Sequence, residues 1–490
     1  MIYSFVETAK DGNQVPIFQS GKPMHSKYNP LKEAETQCNQ IEFKDLFIIL
    51  GLGSGYLLKE LKKRFPKSTF IVYENSADDI SFLFDHIDGL KDFISKNSIP
   101  CFSSDQISQT LPYYFKPAIY PTLEIIDNRN WLSEIKDQAY KIKESFNKAI
   151  DSISRDYSVQ CHFGKFFQHN ILKNCHFLKQ DQKNHLDLSK IAVITAAGPS
   201  LDSKIPWIRE NRDNIILIST DTASKSLSKQ NINWDYTVSI DGQLVSQAHF
   251  IGENLKGKKL ILDLCANSSI FRKALKSGAN VTPSNNGHPL VSYLSFKMQN
   301  KDFSINLCSG SGTVTIACCD FALKAGFSKI IVIGADFGYK NRKPYCKGTY
   351  LDRIYNSQST RVYTSEQQYS HLMFRSDWLE HENNKETTKL LKSYEKSFIQ
   401  WTIQNNLEME SKDDFYVLRA KTKRNTIIQT SALQFFNEQL FNEKDQISKS
   451  DELINAMLPF MAYLRNKNQK QANTDELFNI ALKELVRYTK

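Results

Sequence analysis

Five short apolar runs dominate the middle of the chain. They are Ile191-Ala192-Val193-Ile194, Ile215-Ile216-Leu217-Ile218, Tyr236-Thr237-Val238-Ser239-Ile240, Lys259-Leu260-Ile261-Leu262 and Ile330-Ile331-Val332-Ile333. Each has strand length and most are rich in β-branched residues. Runs with little polar alternation belong to strands covered on both faces, and helical stretches separate most of them, so a doubly wound parallel sheet is predicted. A second such unit precedes it. Leu46 to Leu50 reads as a buried strand that turns through Gly51, Gly53 and Gly55 into a helix carrying Leu57, Leu58, Leu61 and Phe65. The next strand, Phe70 to Tyr73, is closed by Glu74, completing a βαβ unit.

Between the two units, Ile135, Ala139, Ile142, Phe146, Ile150, Ile153 and Tyr157 keep one helical stripe, with Asn130 as its expected cap. The end of the chain is polar and helical. One face there carries Leu433, Phe436 and Leu440, and another, after a Thr474 cap, carries Leu477, Ile480, Ala481, Leu485 and Tyr488. The predicted fold class is therefore α/β: two Rossmann-like domains joined by a helical connector, with a helical C-terminal region. The expected divisions are 1–126 for the N-terminal α/β domain, 127–185 for the connector, 186–430 for the central domain and 431–490 for the helical region.

A chain of 490 residues suits several domains, each with its own core. The net charge of +10 is spread along the chain, whereas nucleic-acid binders concentrate theirs, so no nucleic-acid partner is expected. No run approaches the ~20 apolar residues of a helical span. No secretory signal is visible either, since Glu7 and Lys10 interrupt the amino terminus. The nine cysteines form no Cys-x-x-Cys pair, and Cys265, Cys308, Cys318 and Cys319 sit in apolar strand or helix contexts. A disulfide framework or cysteine zinc site is thus disfavoured, and a reducing cytoplasm is the expected location. Cys161-His162 and Cys175-His176 read as core or surface residues of a helix.

In open α/β sheets ligands lie outside the carboxyl ends of the strands. After Ile194 comes Thr195-Ala196-Ala197-Gly198-Pro199-Ser200-Leu201-Asp202, small residues that admit a ligand, with Ser200 placed to cap the next helix. Asp221 and Asp241 follow the next two strands, and an ionised carboxylate there suits a ribose hydroxyl or a base amino group. Ser309-Gly310-Ser311-Gly312-Thr313 opens the helix from Val314 as a second cradle, and Gly334-Ala335-Asp336-Phe337-Gly338-Tyr339 ends the last strand. Five polar strand ends in one domain point to a nucleotide-like ligand.

The run Ala197-Gly198-Pro199-Ser200-Leu201-Asp202, with Asp221-Thr222-Ala223 and Ser239-Ile240-Asp241, resembles the central domain of the motility-associated factor proteins, the bacterial flagellin glycosyltransferases. Gly310-Ser311-Gly312-Thr313, Gly334-Ala335-Asp336-Phe337-Gly338-Tyr339 and Lys347-Gly348 stand where that family has its own motifs, and Gly51-x-Gly53-x-Gly55-Tyr56 extends the likeness to the first region. The same motifs are similar to those of bacterial sialyltransferases that use CMP-activated sugars. The resemblance implies a glycosyltransferase moving a nonulosonic acid, of pseudaminic or legionaminic type, from a CMP-sugar to Ser or Thr of flagellin. It implies a donor held by Gly198, Pro199, Ser200, Leu201, Asp221, Asp241 and Ser309 to Thr313, with no metal and no further cofactor required. Oligomerisation is left open. As base, His288 is nominated because a loop histidine titrates near neutrality, with Asp336 as alternate and His371 holding a similar claim. Ala197 and Asp221 stand where the sialyltransferases have asparagines, Cys346 where many family members have histidine, and Arg419 to Lys423 replaces an acidic-glycine motif.

Three other readings compete. The central domain also resembles archaeal hydroxymethylpterin pyrophosphokinases, which would use ATP and magnesium near Asp221, Asp241 and Asp336. The glycines at 51, 53 and 55 followed by Glu74 look like an S-adenosylmethionine loop with its ribose-binding acid. A non-catalytic flagellin-binding role is the last.

Overall fold

The computed structural model describes residues 1–299, 302–310, 312–375, 380–382, 385–412, 415–421, 428–433, 450–467 and 473–489. The chain divides into two units, Met1–Gly164 with Leu458–Leu477, and Lys165–Met457 with Phe478–Lys490.

In the first unit β1 (Tyr3–Thr8) and β2 (Gln14–Phe18) form an antiparallel hairpin. β3 (Leu46–Leu50), β4 (Thr69–Glu74), β5 (Cys101–Ser103) and β6 (Leu123–Asp127) form a parallel sheet in the order β5-β4-β3-β6. All of β3 is buried, as an unbroken apolar run requires. Asn128, rather than Asn130, caps the helix Arg129–Glu134, its side chain accepting the N–H groups of Asn130 and Trp131. The helix Lys136–Cys175 follows, and its Ile142, Phe146, Ala149 and Ile153 share a core with Phe47, Ile71 and Tyr73, so the predicted stripe faces the sheet. That helix belongs to the first unit as far as Gly164 and to the second from Lys165. A Cβ at Gly164 would lie 1.8 Å from the carbonyl oxygen of Pro459, so the helix Asp451–Lys467 passes too close for any side chain there.

The second unit is built on a sheet of nine described strands. β7 (Gln182–Asn184) pairs only with β19 (Ile428–Thr430), apart from that sheet. β8 (Ile191–Thr195), β9 (Ile215–Thr220), β10 (Tyr236–Ser239), β11 (Lys259–Asp263), β12 (Asn280–Asn285), β13 (Ile305–Asn306) and β14 (Lys329–Ile333) pair with one another in parallel. β17 (Leu407–Lys412) and β18 (Phe415–Ala420) add an antiparallel edge, while β15 (Glu380–Glu382) and β16 (Lys385–Thr387) form a separate ribbon. The order is β13-β12-β11-β10-β9-β8-β14-β18-β17. The helix Val314–Ala325 covers one face, burying Ile316, Ala317, Cys318 and Phe321 against Ile194, Ile218, Val238, Ile261 and Val332.

At the carboxyl terminus, Asn473 caps the helix Thr474–Thr489 in place of Thr474, its Oδ1 accepting the Glu476 N–H at 2.8 Å. Leu477, Ala481 and Leu485 are buried as the pattern predicts. Leu433 is buried too, whereas Phe436 and Leu440 lie outside the described residues. Cys161 and Cys175 are buried, and no described helix is long and apolar enough to cross a membrane.

Candidate active site at the carboxyl edge of the central sheet

Parallel pairing brings the carboxyl ends of β8 to β12 and β14 to one edge. The segments after β8 and β14 are laced together: Ala196 N–H donates to Ile333 O and Gly198 N–H to Gly334 O, both at 2.8 Å. A Cβ at Gly198 would stand 2.4 Å from Asp336 Oδ2 and from Gly334 O. One at Gly334, where φ is +76°, would stand 2.3 Å from Ala196 O. These glycines are demanded by loop-on-loop packing. The Ser200 N–H donates to Asp336 Oδ2 at 2.9 Å, and Lys340 Nζ lies 3.6 Å from the other carboxylate oxygen. Asp336, the alternate base, is thus occupied in holding the loop. Ser200 does not cap the helix Leu201–Glu210 with its side chain; its hydroxyl is buried at the start of that helix with no partner among the described residues.

Asp221 begins the helix Asp221–Lys229 and is buried. Its Oδ1 accepts the Thr222 N–H at 2.7 Å and hydroxyl at 3.1 Å, and its Oδ2 accepts the Ser239 hydroxyl at 2.6 Å. On the next strand end, Asp241 accepts the Gln243 N–H at 2.9 Å and the Ser246 hydroxyl at 2.6 Å. Both carboxylates bind donors of their own chain, because the starts of a helix and a turn leave N–H groups that a short acidic side chain satisfies. The structure therefore gives them a loop-shaping role.

Cys346 to Gly348 ties this edge together. Cys346 N–H donates to Ala197 O at 2.9 Å, Lys347 N–H to the Asp202 carboxylate at 3.1 and 3.3 Å, and the Ser226 hydroxyl to Lys347 O at 2.5 Å. The buried Cys346 thiol is pushed up to about 12 by desolvation, so it cannot replace a titrating histidine at neutral pH. Tyr350 follows, its ring edge-on to His249 at 4.7 Å. Its hydroxyl is raised first by burial, then by Tyr355 and by the charges of Asp241 and Asp221. Sequence reasoning missed this tyrosine; the nearest signal was its position just after Lys347-Gly348.

Of the second cradle, Ser309 O accepts the N–H groups of Gly312 at 3.0 Å and Thr313 at 2.9 Å, and Thr313 caps the helix Val314–Ala325. Gly310 packs against Ser397 and Ile316, while a Cβ on Gly312, at φ +90°, would meet nothing. Ser311 lies outside the described residues, as do Thr422 and Lys423.

His288 is not a solvated loop histidine. Pro289 opens the helix Pro289–Lys297, and His288 caps it, Nδ1 accepting the Leu290 N–H at 3.2 Å. Burial pushes the ring down to about 4, which corrects the expected titration near neutrality. It follows β12, four strands from β8, or about 19 Å at the usual strand spacing, so it is not brought to the Gly198–Ser200 loop. His371, by contrast, is exposed on the helix Ser365–Met373 with Nδ1 3.5 Å from the Tyr363 hydroxyl. The sequence also hid a buried pair on β11 and β12. Asp263 on β11 is in register with Ser284 on β12, and among the described residues neither Asp263 Oδ2 nor Ser284 Oγ meets a partner at hydrogen-bond geometry. Burial pushes Asp263 up to about 7.

In the first unit the glycine turn faces its own protein. Cβ atoms at Gly51 and Gly53 would stand 2.5 Å from the Trp131 ring and 2.2 Å from His25 Nε2. Glu74 is fully buried and accepts from Leu52 N–H at 2.8 Å, Asn75 N–H at 3.0 Å, the Tyr3 hydroxyl at 3.3 Å and Trp131 Nε1. Glu74, the expected ribose-binding acid, is thus engaged by its own unit.

Among the described residues no cluster of three or more His, Cys, Asp or Glu side chains is placed to hold a metal ion. Residues 169–342 match the family model of the 6-hydroxymethylpterin diphosphokinase MptE-like proteins. The solved structure of the MAf glycosyltransferase from Magnetospirillum magneticum AMB-1 aligns with 100% of this chain and 87% of its own, at a TM-score of 0.50 and 14% identity. The motility-associated factor likeness read from the motifs thus holds for the fold: this is a chain with the fold of a MAf glycosyltransferase. Two uncharacterized proteins of Treponema pallidum (strain Nichols) are similar in sequence, one 29% identical over 233 residues, covering 47% of this chain and 76% of the relative. The other is 30% identical over 147 residues, covering 29% of this chain and 70% of the relative. The chain belongs to the same family as these treponemal proteins.

Proposed function

We propose that the chain is a cytoplasmic glycosyltransferase that moves a nonulosonic acid from a CMP-sugar to Ser or Thr hydroxyls of flagellin, with the donor at the carboxyl edge of the central sheet. The observation that carries this reading is the segments after β8 and β14 laced together at the start of the helix Leu201–Glu210, where the buried Ser200 hydroxyl has no partner among the described residues. Likeness in fold to a glycosyltransferase supports the reaction class.

Such a transfer needs a positioned donor, stabilisation of the leaving phosphate and a base for the acceptor hydroxyl. Ser200 and the helix start would meet the phosphate, and Lys347, whose charge reaches Asp202 in that first turn, would balance it. Asp221, Asp241 and Asp336 would act by shaping loops. For the base we favour the exposed His371 over His288. Its helix is joined through the Tyr369 hydroxyl, at 2.7 Å, to Asp352 in the first turn of the helix that begins at Tyr350.

The family-model match over residues 169–342 favours a second reading, an ATP- and magnesium-dependent pterin diphosphokinase. Against it, the carboxylates it would need for magnesium already accept hydrogen bonds from their own chain. Calorimetry of the full chain decides between them. Metal-independent binding of CMP is expected; binding of ATP and 6-hydroxymethylpterin only with magnesium, and no binding of CMP, would replace the glycosyltransferase reading. Intact-mass analysis of flagellin from cells with and without the gene then tests the acceptor, with a difference of one nine-carbon sugar acid per site as the expected result.

A further inference from the structure

The segment that leaves Asp241 forms one wall of a groove outside the loops described above. Its short helix Leu244–His249 and the residues Phe250 and Ile251 face the helix Ser268–Lys276 across a cavity of about 390 Å³. Gln247, Ile251, Ser269, Arg272, Lys273 and Lys276 are among its lining residues, and no acidic side chain is.

This wall is held in place by lysines. Lys273 Nζ donates to Phe250 O at 2.5 Å and Lys225 Nζ to Ile251 O at 2.6 Å. Lys225 is buried, and its partners here are backbone carbonyls. Desolvation lowers it, and the charges of Arg353, Lys229 and Lys273 lower it further against the single opposing field of Glu253. Arg272 and Lys276, one turn apart on the outer face of the helix, are exposed, and neither forms an ion pair among the described residues. Across the cavity from these charges stands Ile251, 51% exposed. The groove therefore sets the exposed, apolar Ile251 opposite a positive rim of Arg272, Lys273 and Lys276 on the helix Ser268–Lys276.

We propose that this groove holds an acidic, extended segment of the protein acceptor and so presents a neighbouring hydroxyl to the site. The proposal rests on the reading that the acceptor is a protein. From Ser269 to Ser277 the helix is about 12 Å long, the reach of about four extended residues. Alternating acidic and apolar side chains on such a segment meet both parts of the groove: carboxylates reach Arg272 and Lys276, and apolar side chains cover Ile251. Short charged ligands in so open a groove bind with strong salt dependence, because the rim charges are solvated.

The test uses the full chain and two labelled eight-residue peptides, one alternating glutamate and leucine around a single serine, the other with lysine for glutamate. Fluorescence anisotropy should give binding of the acidic peptide only, weakening several-fold between 50 and 200 mM salt. The double variant Arg272→Glu, Lys276→Glu should weaken it at least tenfold, and Ile251→Ser should weaken it without altering the salt slope. Each protein is also titrated with CMP, which the variants should bind like the parent. Equal peptide binding by parent and double variant overturns the groove, as does tighter binding of a ten-nucleotide oligothymidylate than of the acidic peptide. If CMP binds and the acidic peptide does not, the groove fails alone. If the acidic peptide binds in the charge-dependent manner and CMP does not, the donor reading fails and the groove stands.

Discussion

The backbone N–H of Ser200 and the Oδ2 of Asp336, 136 residues apart in the chain, meet at 2.9 Å. This bond joins the segment after β8 to the one after β14, two adjacent strands of the sheet. A hydrogen bond to an ionised partner contributes about 1.5–3 kcal/mol. Asp336→Ala should lose that much stability in urea unfolding and weaken CMP binding at least tenfold, because the start of the helix Leu201–Glu210 is no longer fixed. Asp336→Asn keeps an acceptor oxygen and should recover most of both; if it binds no better than the alanine variant, the carboxylate has a role beyond holding the loop.

The two glycine segments should respond differently to alanine. Gly198→Ala places a methyl 2.4 Å from a backbone carbonyl and from Asp336, so it should destabilise by about 1–3 kcal/mol. Gly312→Ala meets open space, and only its φ of +90° resists, at about 1–2 kcal/mol. Gly312→Val should still fold and lose flagellin transfer. Circular dichroism with intact-mass analysis separates these outcomes, and unchanged transfer by Gly312→Val would leave that turn as a helix start only.

Asp263 gives a pH dependence. Its folded value of about 7 lies above the unfolded aspartate value near 3.9. The folded state therefore binds the extra proton, and this group's favourable contribution is complete below pH ~4 and lost as pH rises toward 7. Asp263→Asn removes the loss, and its Oδ1 still accepts the Cys265 N–H that the aspartate accepts at 2.7 Å. Relative to the parent, the variant should gain stability from pH 4 to pH 8, by roughly 4 kcal/mol in all. Urea midpoints at pH 4, 6 and 8 read this directly; a flat difference would mean that Asp263 is ionised throughout.

Removing the carboxyl-terminal helix should unfold the protein. Leu477, Phe478, Ala481, Leu482 and Leu485 are all buried, and Leu485→Ala alone should cost about 2–5 kcal/mol. A soluble, cooperatively melting chain ending at residue 473 would contradict this.

The strands legible in the sequence were those whose residues pay no heed to solvent: β8, β9, β11 and β14 are apolar along their length. β12 was missed because Asn280, Thr282, Pro283, Ser284 and Asn285 resemble a loop, yet flanking by β11 and β13 buries four of its residues. The β17–β18 edge was missed for a related reason, since exposure on an edge permits Glu408, Glu410 and Lys412. Within the site, Gly198, Gly334 and Asp336 were visible as unusual residues. That they serve one another was not visible, because the reason lies in a contact between distant segments. His288 misled because Pro289 opens a helix, and a residue before such a proline becomes its cap.

The long helix Lys136–Cys175 enters the second unit before the first is complete, since Leu458–Leu477 returns to the first. On the ribosome, the opening 164 residues must wait while some 290 more are made, about 15–60 s at usual elongation rates. Through that interval Gly164 lies bare where the Pro459 backbone will later pack. Synthesis of this protein should accordingly be a point of dependence on holding chaperones, and swapping of the 458–477 segment between nascent copies its characteristic error.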